Sequence, residues 1–141
     1  MSEAKYLLQK IAFLDAEINS LIREHESVKS TLLKATDYSN EPVATTKRNT
    51  SEDKLIKLAD KSSDIDIKID ELVDFKITMG DYINQLEDER HRVILREHYI
   101  NGISFLEISK NLGYTERHLY RIHGDALLKF QDILKDDIES P

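Results

Sequence analysis

The chain has 141 residues, one third of them charged, with four Gly, two Pro, no Cys and a formal net charge of −7. That length holds one or two small domains with a core but not a large enzyme with a separate lid, and the scarcity of Gly and Pro favours helices throughout. The lack of Cys excludes a disulfide scaffold and thiolate metal sites, and no apolar run reaches membrane-spanning length.

The start Met-Ser-Glu-Ala-Lys has no apolar signal-peptide core, so a cytoplasmic location is expected. Residues 3–36 then read as one long helix. Ala4, Leu7, Ile11, Leu14, Ile18, Leu21, His25, Val28, Leu32 and Ala35 alternate in steps of three and four, which is the seam of a coiled coil interrupted once, by His25. A polar group in an apolar seam lowers stability unless it finds a partner. His25 is therefore read as a register-fixing core histidine; a pH switch or metal ligand is the alternative, and no second His or Cys lies nearby in sequence to complete a metal set.

Residues 37–50 are rich in turn formers and contain Pro42, which predicts a loop; its Lys47-Arg48 pair reads as solvated charge. Thr50 or Ser51 should cap a second helix over residues 51–84, with the seam resuming at Leu55, Leu58, Ser62, Ile65, Ile69, Leu72, Lys76, Met79, Ile83 and Leu86. Folded back on the first helix, this one pairs residues whose numbers sum to about 87, so His25 should meet Ser62 in an antiparallel hairpin. Ile56, Ile67, Val73, Phe75, Ile77 and Tyr82 lie outside that row. They call for a partner surface, either a homodimer through the hairpin or the chain's own C-terminal helices. Gly80 is a potential kink.

Residues 87–135 form the expected second domain. A short helix with Val93, Ile94, Leu95 and Tyr99 on its apolar side ends at Asn101-Gly102. Ser104 and Glu107 have capping-box spacing, with Ile103 and Ile108 as a hydrophobic staple, and Gly113 can close that helix in the left-handed conformation. Thr115 caps the next, with Tyr114 and Leu119 as its staple. Two short helices around Leu-Gly-Tyr are what a helix-turn-helix requires, with Ile108, Leu112, Leu119 and Ile122 inward and Ser109 small at the crossing. Glu116, Arg117, Tyr120, Arg121 and Gly124 are then left on the outer face, where arginines and a tyrosine suit base edges and phosphates. The alternative is a packing corner in a helical bundle that touches no nucleic acid. Past Gly124 the last helix can pack back on the first helix of this domain or on the hairpin, and the acidic tail, residues 136–141, should fray.

Charge is unevenly placed. Residues 87–135 balance to zero and hold four of the five His, while the excess acids lie in the first 86 residues and the tail. No nucleophile elbow, phosphate-cradling glycine loop or metal-spaced cluster occurs, and His91 and His98 are roughly 10 Å apart along a helix, too far for one metal ion. No enzyme activity, cofactor, metal or small-molecule substrate is expected.

From Arg92 to Ile122, the helix, Tyr-x-x-Gly, Ser-x-x-Glu-Ile and Leu-Gly elements fall in an order that resembles region 4 of bacterial sigma factors, departing at Ser109, where that family usually has Ala. The whole layout looks like the ArpU and RinA-type late-gene transcription regulators of phages and prophages in Gram-positive bacteria. The resemblance implies an all-α, sequence-specific double-stranded DNA-binding regulator in the bacterial host cytoplasm, an activator of phage genes that can also meet host RNA polymerase. The helix starting at Glu116 would enter the major groove, with Arg117 and Arg121 as chief readers and Thr115, Glu116, His118, Tyr120 and Gly124 around them. Lys110, Arg90, Arg92 and Arg96 would meet the backbone. Two other readings are a small terminase subunit recognising packaging DNA, and a sigma-mimicking protein that binds polymerase without reading DNA.

Overall fold

The structure, a computed structural model, describes residues 3–38 and 45–139, with side chains over residues 3–35 and 52–137. The protein is all-α. The helices are α1 (Glu3–Tyr38), α2 (Thr45–Asn84), α3 (Glu89–Leu95), continued by a π-helical turn (Arg96–Ile100), α4 (Phe105–Leu112) and α5 (Glu116–Glu139).

α2 begins at Thr45, five or six residues before the expected caps at Thr50 or Ser51. Thr, Asn and Ser lower helix propensity by only a few tenths of a kcal/mol each, and no Gly or Pro stands between Val43 and Met79, so extending a helix already nucleated is cheaper than ending it. Residues 39–44 of the expected loop and the side chains of Lys47 and Arg48 lie outside the described residues. α2 also runs on through Gly80, where Ile100 Cδ1 lies 3.7 Å from the position a Cβ would take. The acidic tail does not fray at residue 136, because α5 continues to Glu139 and Tyr82 donates a hydrogen bond to Asp137 Oδ2 at 2.5 Å.

The chain divides into two compact units, residues 1–14 with 72–141 and residues 15–71. This differs from a division at residue 86, because the two ends of the chain share one core. Ala4, Leu8 and Ile11 from α1, Leu72, Met79, Ile83 and Leu86 from α2 or just past it, and Phe130 and Leu134 from α5 are all buried. Gln131 Oε1 accepts the Ala4 amide at 2.8 Å, and Tyr82 meets the Phe130 ring edge-on at 6.3 Å. Leu8 rather than Leu7 is fully buried, as expected of a helix whose apolar stripe is wider than a two-stranded seam.

In the second unit, Lys68 bridges Glu17 at 3.1 Å. His25 does not pair with Ser62, which is exposed. Its Nε2 lies 3.0 Å from the Leu58 carbonyl. That oxygen can only accept, so Nε2 carries the proton. In a regular helix the Leu58 carbonyl also takes the Ser62 amide, so the imidazole reaches the expected turn of α2 but finds backbone there.

Candidate nucleic-acid interface

The entry to this region is set by Asp88. Its carboxylate accepts the Arg90 amide at 2.8 Å as the N-cap of α3 and also binds the Arg90 guanidinium at 2.9 Å. Those bonds from Arg90 hold the Asp88 carboxyl down to about 2. α3 then widens into the π-helical turn, where the Asn101 amide reaches the Arg96 carbonyl at 3.0 Å. Such turns recur at functional sites.

α4 is two turns long, and local bonds set both ends. Ser104 Oγ accepts the Glu107 amide at 3.2 Å; the reciprocal bond, from the Ser104 amide to the Glu107 carboxylate, is absent among the described residues. Gly113, at φ 71°, closes α4 in the left-handed conformation. Thr115 Oγ1 accepts the His118 amide at 3.1 Å and so opens α5.

Beneath the turn, Ile94, Ile108, Leu119 and Ile122 form one buried cluster, with Ile103, Phe105 and Tyr114 packed against it. Ser109 is also buried, and its hydroxyl donates to the Leu106 carbonyl at 2.7 Å, so a small side chain with no unmet donor faces inward. Leu112 departs from expectation. It is 36 % exposed, being the last residue of a short helix, and Ile94 of α3 completes the cluster instead.

Burying that face leaves Glu116, Arg117, His118, Tyr120, Arg121 and Gly124 exposed on α5, with Thr115 exposed at its cap and Lys110 exposed on α4. No hydrogen bond or ion pair holds Arg117 or Arg121 among the described residues. Nothing lies within 4 Å of a Cβ built at Gly124, so the helix surface there is bare backbone.

The other three arginines are placed differently. Arg92 Nη1 donates to the Leu86 and Glu87 carbonyls at 2.6 and 3.0 Å, Arg96 Nη2 donates to Asn84 Oδ1, and Arg90 is held by Asp88. Arg92 thus ties α3 to the α2–α3 turn, and Arg96 ties the start of the π-helical turn to the last residue of α2. Arg90, whose guanidinium also meets Tyr114, is the one of the three that adjoins the residue before the α5 cap.

A group that sequence spacing did not bring together lies directly behind Tyr120. Phe105 stacks on His98 with ring centres 3.7 Å apart, meets Tyr120 at 5.2 Å and touches His123 edge-on at 4.8 Å. His98 Nδ1 donates to the Ile103 carbonyl at 2.8 Å. Tyr99 and His123 share a buried hydrogen bond of 2.7 Å. Burial pushes the Tyr99 hydroxyl up to about 12, and burial, with His98 and Lys5 adding to it, holds His123 down to about 4. The Tyr99 hydroxyl therefore donates to a neutral imidazole. The only hint of this cluster in the sequence is aromatic density, since Tyr99, Phe105, Tyr114, Tyr120 and three His fall between residues 98 and 123.

No group of His and acidic residues among those described could hold a metal ion, and no helix among them is long and apolar enough to cross a membrane. The profile of a family described as "Protein of unknown function (DUF1492)" matches residues 32–131. No curated protein and no solved structure is similar to the chain.

Proposed function

The protein belongs to the DUF1492 family, whose profile spans more than half of the chain, and from the solvent-facing arginines of α5 we propose that it is a sequence-specific regulator that binds double-stranded DNA through the major groove. One observation carries this reading: the residues with groove-reading chemistry are those that the buried cluster leaves outermost, on a helix whose first turn points Leu119 inward and leaves Glu116, Arg117 and His118 exposed. Arg117 and Arg121 are one turn apart on that face, and a guanidinium is the commonest partner of guanine O6 and N7. Tyr120, backed by Phe105, adds a fixed aromatic edge. Lys110, His118 and the amides at the start of α5 supply phosphate contacts.

The resemblance to ArpU and RinA-type regulators gives this activity its place, as an activator of phage late genes in a bacterial host. The local charge suits specific over nonspecific binding, since residues 87–135 carry no net charge and the whole chain is acidic. Gel-shift titration of the full chain on a selected duplex tests the assignment. Arg121→Ala should weaken binding by about 1–3 kcal/mol and relax preference at one base position. Equal affinity of variant and parent for the cognate duplex would remove Arg121 from the reading face.

A further inference from the structure

The described side chains of residues 15–71 form little core. Of the described side chains in this unit only Ile18 and Ile65 are buried. Ordering each backbone residue costs about 1–2 kcal/mol, whereas full burial of a large aliphatic side chain contributes about 1.5–3 kcal/mol. Over the described part of the two helices, two such side chains fall short of that cost.

The missing contacts have an evident place. Leu21, Val28 and Leu32 of α1 and Leu58 and Ile65 of α2 line an open groove of about 380 Å³, with His25 midway along it. Val28 is 47 % exposed, and beyond the groove Leu33, Leu55, Ile56 and Ile67 are each more than half exposed. The Nε2–H of His25 is already bonded to the Leu58 carbonyl, so that donor can be covered without penalty. The two edges of the groove differ in charge. Lys54, Lys57, Lys61 and Lys68 stand along α2 against Asp64 alone, while α1 presents Glu24 and, two turns earlier, the Glu17 that bridges Lys68.

We infer that this groove is covered by the same groove of a second copy of the chain, the two related by a two-fold axis running along the helices. That operator sets each acidic α1 edge over the other copy's basic α2 edge. A two-fold axis across the helices would set lysines over lysines, which costs energy. The product is a four-helix bundle with the apolar residues of both grooves at its centre. The inference stands on the hairpin alone, so it can hold or fail whether or not α5 reads DNA.

Light scattering of the full chain without DNA reads the outcome. The parent should have twice the 16.4 kDa of one chain. Val28→Glu should weaken association by about tenfold or more, as should Lys57→Glu combined with Lys61→Glu. Adding Glu24→Lys to the lysine variant should restore the dimer, with helix content by circular dichroism the same in all three chains, so that what is lost and regained is association and not folding. A single-chain mass at every concentration, a ring of more than two copies, or failure of Glu24→Lys to restore association would each overturn the inference.

Discussion

Five arginines lie in residues 87–135, and their surroundings separate them by role. Arg117 and Arg121 stand in solvent without an acid, while Arg92 is spent on carbonyl oxygens of the α2–α3 turn, Arg96 on the Asn84 amide oxygen at the end of α2 and Arg90 on Asp88. Asp88 is thus both helix cap and counter-ion. Asp88→Ala should cost about 1 kcal/mol of stability at neutral pH by denaturant titration, as loss of an N-cap does. Because the Asp88 pKa falls from 3.8 to about 2 on folding, its electrostatic share is complete above pH 3.8 and is lost as the pH drops through 2. His123 works in another window. Its pKa is about 4 in the folded chain against 6.5 when exposed, so the unfolded chain takes up the proton first. The His123 contribution to stability should fall as the pH is lowered from 6.5 to 4 and then level off, and His123→Gln, which keeps an acceptor for Tyr99, should flatten that slope in melts across the range.

At the scale of elements, α4 and the start of α5 are legible in the sequence, because a cap hydroxyl, a left-handed glycine and a staple act over a few residues. Gly113 shows how local the information is: at φ 71° an L side chain is strained, so Gly113→Ala should destabilise the protein by about 1 kcal/mol even though no atom crowds the site. Gly80 is the contrasting case. It sits in regular helix with an ordinary contact to Ile100, so Gly80→Ala should stabilise by about 0.5–1 kcal/mol, and a lower melting temperature would show that α2 needs flexibility there. What periodicity could not give was set by tertiary contact. The exposure of Leu112, the use of Leu8 in place of Leu7 and the stack of His98, Phe105 and Tyr120 all depend on which helix arrives opposite. The His25 partner was misplaced for a related reason, since pairing two side chains by residue number overlooks the backbone carbonyls between them.

The unit that carries α5 is assembled from both ends of the chain. Ala4 and Leu8 have no exposed surface, and the Ala4 amide is bonded to α5 through Gln131. The shift to a shorter helical pattern from Glu87 suggested a boundary because a change of pattern is visible in sequence, whereas docking of α1 onto α5 leaves no local mark. Leu8→Ala, more than a hundred residues from the proposed reading face, should cost about 2–5 kcal/mol in the unfolding transition of this unit. It should leave DNA affinity unchanged at low temperature, where the unit remains folded. Loss of affinity without loss of stability would contradict this architecture. The acidic total also has a consequence for binding. With few cations on the reading face, the salt dependence of affinity should be shallow, and Lys110→Ala should reduce its logarithmic slope by about one if Lys110 meets a phosphate.

The outward face of α5 is tested most directly by selecting bound duplexes from a random pool with the full chain, then repeating the selection with Arg117→Ala and Arg121→Ala. The parent should enrich one sequence motif, and each variant should lose preference at its own position while keeping the rest. An unenriched pool, or variants that select the parent's motif unchanged, would contradict the account.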